Sequence, residues 1–172
     1  MKGPRFTHKD HLFVPEKDDF KAKLNDWETL VLTAARNGKG FAGWLRNYAR
    51  KPCKPWSIAH TYTNSDGQTA PGYPDFVVFR REGKHLVVDL LEPHHTGNAD
   101  SLAKMKGLCR FAEQYGDKFG RIEWIKIEGS QIKRLNVNSA QARAKVLATN
   151  VDSAIDSLFD AHGTSEAAPT AS

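Results

Sequence analysis

Two aspartates stand where apolar strands would place core residues. In GYPDFVVFRREGKHLVVDLLEPHH, Gly72 to His95, Asp75 opens one β-branched and aromatic run and Asp89 interrupts the next. A carboxylate in such a run is costly unless it is paired, protonated or bound to a cation. A divalent metal resolves the cost, because Mg²⁺ takes one or two carboxylates as hard oxygen ligands together with substrate phosphates. Neighbouring strands lie about 4.8 Å apart, so acids at matching heights can share one ion. The competing account is structural: Asp75 caps a turn beside Pro74, and Asp89 pairs with an arginine.

Which acid shares a face with Asp75 depends on the hairpin turn. With Glu82-Gly83 as a two-residue turn, Asp75 lies opposite Leu90, and its face carries Leu90, Glu92 and His94. With a three-residue loop, Glu82 to Lys84, it lies opposite Leu91 and shares its face with Asp89. Both turn lengths are common in hairpins. Pro93 cannot donate to a ladder and marks the strand's end, so the register with Asp89 is preferred. His94 can change charge near neutral pH and serve as a proton donor or phosphate contact. Adjacent histidines on extended backbone point opposite ways, so His94 and His95 are poorly placed to chelate one ion together.

Charge is distributed unevenly. The chain has 172 residues and net charge +5, yet no acid lies between Glu28 and Asp66. That interval holds Arg36, Lys39, Arg46, Arg50, Lys51 and Lys54, interleaved with Phe41, Trp44, Tyr48, Trp56 and Tyr62. Cations neutralise phosphates and aromatic faces stack on bases, so the mixture suits a nucleic-acid surface, with Trp44, Arg46, Arg50, Lys51 and Lys54 as its candidates. A solvated basic face with its aromatics turned inward would read the same way. No apolar run approaches a membrane span, and MKGPRFTHKDHLF lacks the apolar region of a secretory signal. Cys53 and Cys109 form neither a CxxC pair nor a disulfide framework, which points to free thiols in the cytoplasm.

The elements that must position these residues follow from periodicity. Phe20, Leu24, Trp27, Leu30, Val31 and Ala34 recur at helical spacing, capped by Asp18 or Asp19 and stopped by NGKG. FAGWLRNYAR reads as a second short helix, WSIAHTYT as a strand and NSDGQTAPGYP as a loop. DFVVF and HLVVDLL form a hairpin, and Leu102, Met105, Leu108, Cys109 and Ala112 form the stripe of a helix flanked by Lys104 and Lys106. RIEWIKIE and QIKRLNV read as strands, and SAQARAKVLATNVDSAIDSLFDAHG as helix broken near Asn150. This order predicts an α/β fold: a short mixed sheet flanked by helices. Residues 1–17 are expected to be a flexible lead-in, 18–162 a single domain, and 163–172, which lack periodicity, a disordered tail.

Pro74-Asp75, the apolar hairpin and Asp89, set in this element order, resemble the PD-(D/E)XK nuclease superfamily over roughly residues 18 to 137. WLRN around Trp44 and VVDLLEPH around Asp89 resemble the nuclease domains appended to DEAD/DEAH helicases of type III restriction-like systems. The resemblance implies a restriction-endonuclease-like three-layer core. It implies a metal-dependent endonuclease of a restriction or defence system, cutting nucleic acid, with DNA expected. Asp75 and Asp89 would hold Mg²⁺ or Mn²⁺, with Glu28 as a further ligand. The helix position of Glu28, four after Leu24 and three before Val31, turns it inward; pairing with one of the basic residues after it is the other account. The family pattern places lysine two residues after the second acid, where this chain has Leu91. Lys104 on the next helix is the first replacement, and a shifted frame, Glu92-Pro93-His94, the second. The third outcome is a nucleic-acid-binding module that does not cut. A helicase domain or subunit and a second copy of the chain are the implied protein partners, with no membrane.

Overall fold

The apolar hairpin organises the sheet. In the computed structural model, which describes residues 6–8, 10–12, 20–49, 57–95 and 100–169, strands β1 (Phe6–His8) and β2 (Phe20–Ala22) precede helix α1 (Asp26–Asn37). Strands β3 (Phe41–Arg46), β4 (His60–Thr63), β5 (Thr69–Gly72), β6 (Phe76–Glu82) and β7 (His85–Pro93) lead to α2 (Ser101–Tyr115). Strands β8 (Ile122–Glu128) and β9 (Gln131–Asn136), helices α3 (Ala140–Ala148) and α4 (Ile155–His162), and strand β10 (Thr164–Ala167) complete it.

Six strands make the main sheet in the order β10-β9-β8-β7-β6-β3. Every neighbouring pair is antiparallel except β7 and β8. A parallel pair needs a crossover, and α2 supplies it. The sheet is therefore mixed and lies between two apolar layers. On one face Val77, Leu90, Trp124 and Leu135 pack against Met105, Leu108 and Cys109 of α2, Val146 of α3 and Phe159 of α4. On the other, Trp44, Phe76, Val78, Leu91 and Ile125 pack against Val31, Leu32 and Ala35 of α1. Side-chain alternation along a strand produces this division: Leu90 enters the first layer and its neighbour Leu91 the second. Full burial of one such side chain stabilises the fold by about 1.5–3 kcal/mol. Two smaller sheets, β1-β2 and β4-β5, lie outside the main one.

The hairpin turn is Gly83-Lys84, because Glu82 pairs with His85. Gly83 has φ +60°, the left-handed value that the first central position of a type II′ turn requires. This is neither of the two turns expected from sequence. Phe76 now faces Leu91, so Asp75 stands opposite Glu92. The parity is that of the shifted frame, and Asp89 belongs to the other face.

Several elements differ from their sequence expectation, and the stretch NSDGQTAPGYP, read as a loop, contains strand β5, paired with β4. Helix α1 begins at Asn25 rather than at Asp18 or Asp19, with Phe20–Ala22 in strand β2. FAGWLRNYAR is not a helix; Phe41–Arg46 is the strand β3, pairing with β6. The lead-in and the tail each contribute a strand, β1 beside β2 and β10 beside β9. Among the described residues no helix is long and apolar enough to cross a membrane.

Candidate active site

Asp75 is fixed by its neighbours before any side chain is considered. Asn47, just past β3, donates through its backbone N–H to the Asp75 carbonyl at 2.9 Å. Its buried side chain donates to the carbonyls of Pro74 and Ile58 at 2.7 and 2.8 Å, and accepts from Ile58 N–H at 3.0 Å. Across the hairpin, the Asp75 N–H donates to Glu92 Oε2 at 3.0 Å. Pro74-Asp75 is thus held at the end of the sheet with Glu92 beside it.

The two acids open into a cleft of about 390 Å³ walled by the β4-β5 hairpin and α2, with His94, Lys104 and Arg46 around them. Burial, and then the neighbouring charge of Glu92, pushes the Asp75 carboxyl up to about 7. Burial likewise raises Glu92 to about 8, against the opposing pull of the Asp75 N–H, Arg46 and Lys104. His94 is pushed down to about 4 by burial and by Lys104, so its ring is neutral at physiological pH. Its Nδ1 lies 3.4 Å from Glu92 Oε1 and its Nε2 lies 3.1 Å from Ser101 Oγ. Lys104 reaches the cleft from α2, its Nζ 5.7 Å from the Tyr62 ring centroid.

Glu28 arrives indirectly. It is the third residue of a capping box: its N–H donates to Asn25 Oδ1 and its Oε2 accepts from Asn25 N–H, both at 2.8 Å. Its other oxygen accepts from Arg46 Nη2 at 2.7 Å, and the same nitrogen lies 2.9 Å from Asp75 Oδ1. Arg46 therefore links Glu28 to Asp75, and Glu28 serves as a helix cap and an arginine partner.

Asp89 is not part of this group. It is fully buried on the α1 face of the sheet, between Arg80 and Arg121. Arg80 Nη2 donates to Oδ1 at 3.0 Å and Arg80 Nε to Oδ2, while Arg121 donates from N, Nε and Nη2 at 3.0, 3.0 and 2.7 Å. Burial opposes the charge, but these hydrogen bonds outweigh it and hold the carboxyl below the usual aspartate range. Asp75 and Asp89, expected to share one ion, therefore lie on opposite faces of the sheet, and the acid beside Asp75 is Glu92, because a one-residue change of register moves every side chain to the opposite face. Leu91 is buried beneath α1.

Trp44 is also corrected. It is wholly buried, edge-on to His11 and to Phe76, and offers no face to a base. Arg50, Lys51 and Lys54 lie outside the described residues. The cleft also includes Tyr73 and His60, which sequence reasoning did not single out; Tyr73 was signalled only by its place beside Pro74-Asp75. Among the described residues no group of three or more His, Cys, Asp or Glu side chains is arranged to hold a metal. Asp75 and Glu92 remain a pair of hard oxygen donors, and a pair meets the protein's usual share of a Mg²⁺ shell.

Fold and site together define an α/β protein whose mixed sheet ends in a carboxylate-bearing cleft. Residues 9–168 match the YagJ family, and the chain belongs to that family. It is 34% identical over 142 residues to Protein YagJ of Escherichia coli (strain K12), an alignment covering 80% of this chain and 57% of that protein. The chain thus spans little more than half the length of that relative. No solved structure matches the chain.

Proposed function

We propose that the chain is a metal-dependent nuclease of PD-(D/E)XK type. The observation that carries the reading is the placement of Asp75 against Glu92 across the hairpin, its N–H donating to Glu92 Oε2, with His94 and Lys104 in the same cleft. In this frame Glu92 is the second acid, His94 takes the place of the motif lysine, and Lys104 is the nearby ammonium.

Asp75 and Glu92 would hold Mg²⁺ or Mn²⁺. Two buried carboxylates that burial pushes toward the protonated form, Asp75 further by the charge of Glu92 and Glu92 by that of Glu28, are the donor set whose ionised form a divalent cation stabilises. Such an ion supplies Lewis-acid activation of a phosphate oxygen and a bound water of lowered pKa. Lys104 faces the negative charge that builds on the phosphate. His94, neutral and oriented by Ser101, can accept a proton from a water beside Glu92. Arg46 and Asn47 position Asp75.

DNA is the proposed substrate, the cytoplasm the proposed compartment, and a helicase domain or subunit the proposed partner in a restriction or defence system. The second reading is a binding module that does not cut. It is favoured by Arg46, whose guanidinium already neutralises Asp75 and Glu28. The test is cleavage of labelled DNA and RNA in Mg²⁺, Mn²⁺ or EDTA by the wild type and by Asp75→Asn. Metal-dependent cutting by the wild type alone supports the nuclease. Salt-sensitive binding without cutting, in every metal, supports the module.

A further inference from the structure

The proposed reaction leaves one wall of the cleft without a role. Tyr48, Tyr62 and Tyr73 line the same space as Asp75 and Lys104, and all three are half-buried. Tyr62 stands on β4, in the two-stranded sheet that packs on α2 apart from the main sheet. A cleft of about 390 Å³ is at the small end of ligand sites, which run from about 300 to 1,000 Å³. It has room for one nucleotide unit and none for a duplex.

The polar groups of the cleft select the phosphate. Arg46 Nη2 is committed to Glu28 and Asp75, but the buried Nη1 has no hydrogen-bond partner among the described residues. An orphaned buried guanidinium nitrogen is costly unless something completes it, and phosphate is a natural acceptor for an arginine fork. Lys104 Nζ, beside the Tyr62 ring, places a second cation next to an aromatic surface, as phosphate and base are neighbours in one nucleotide. On the opposite face of the sheet the arginines are already committed. There Arg80 and Arg121 are bound to Asp89, and Arg134 to Glu123 and Glu166.

Base pairing decides the strand state. A base inside a duplex is stacked on both sides and reaches a side-chain wall only by flipping out, at a cost of a few kcal/mol. An unpaired base meets the same wall directly. Resting on the nuclease reading above, we propose that the cleft takes one unpaired nucleotide, its phosphate at Arg46 and Lys104 and its base against the tyrosines, so that the substrate is single-stranded nucleic acid.

The test is binding rather than cleavage, measured by fluorescence polarisation in EDTA with the whole chain. One sequence is offered as single-stranded DNA, single-stranded RNA, duplex DNA and a single strand carrying abasic sites. The proposal expects a single strand, DNA or RNA, to bind about tenfold tighter than duplex. It expects the abasic strand and Tyr62→Ala to lose about tenfold, as for removal of one base–aromatic stack. Tyr62→Phe keeps the ring and should keep the affinity. Duplex binding as tight as single-strand binding, an abasic strand bound as well as an intact one, or no binding at all overturns the proposal. The abasic arm needs no variant, so misfolding of Tyr62→Ala cannot obscure the outcome. Asp75-dependent cutting of duplex alone would remove this inference and leave the nuclease standing. Base-dependent single-strand binding without cutting in any metal would do the reverse.

Discussion

Three acids in this chain meet three environments, and their chemistry differs accordingly. Asp89 is ionised and fully paired, so it stabilises through arginines that need it. Removing one partner of a buried ion pair commonly costs about 3–5 kcal/mol, because the other charge is left uncompensated. Asp89→Asn keeps the shape but forfeits the charge; we expect a loss of about 2–4 kcal/mol in urea unfolding, and a change near zero would contradict the assignment. Asp75 is the opposite case. Its carboxyl ionises near 3.8 in an unfolded chain and near 7 in the fold, so the fold holds the proton more tightly and loses stability as pH rises between those values. Asp75→Asn should therefore raise the melting temperature of the metal-free protein, by more at pH 8 than at pH 5, with Arg46 retaining Glu28 as its partner. A lower melting temperature at both pH values would show that the ion pair with Arg46 outweighs the burial. Glu28 differs from both in its contacts: it is a helix cap whose second oxygen holds the arginine that steadies Asp75.

At the scale of elements, the cleft depends on how closely α2 approaches β4. Gly107 lies at that contact, where an added Cβ would stand 2.5 Å from the Thr61 carbonyl oxygen and 2.7 Å from His60 Nδ1. Gly107→Ala must push the β4-β5 wall away from Lys104. It should cost about 1–3 kcal/mol of stability and weaken substrate binding by displacing His60 and Tyr62 of the cleft wall, without touching Asp75, Glu92 or His94; unchanged affinity would show that the wall plays no part in binding. The same scale explains what the sequence disclosed. α2, β8, β9 and the α3–α4 break were legible because their apolar positions follow one period without interruption. β3 was not: Phe41, Trp44, Leu45 and Tyr48 fall at helical intervals, and only pairing with β6 makes the segment a strand, a tertiary preference that overrides local pattern. β10 was hidden because its four side chains are all exposed, which leaves no hydrophobic alternation to read. The site was legible as a set of candidates but not as a partnership. Asp75, Glu92, His94 and Lys104 are visible one by one, yet whether Asp75 meets Glu92 or Asp89 rests on a single residue of turn length.

For the whole molecule, the two faces of the sheet carry different arrangements of charge. Its α1 face carries a run of alternating charges from Arg80 through Asp89, Arg121, Glu123 and Arg134 to Glu166, spanning β6 to β10. Its other face is packed by α2, α3 and α4 and ends in the cleft, where Asp75 and Glu92 stand side by side with Arg46 and Lys104 around them. The measurement that tests the central claim most directly is metal-dependent cleavage by Glu92→Gln beside Asp89→Asn, each assayed at a temperature where circular dichroism shows it folded. The account predicts that Glu92→Gln loses at least a hundredfold in rate while Asp89→Asn, once folded, stays within a few-fold of wild type, as expected for groups of about 3 kcal/mol and near zero respectively in the transition state. Retained cutting by Glu92→Gln, together with its loss in folded Asp89→Asn, would contradict it and return the site to the other face of the sheet.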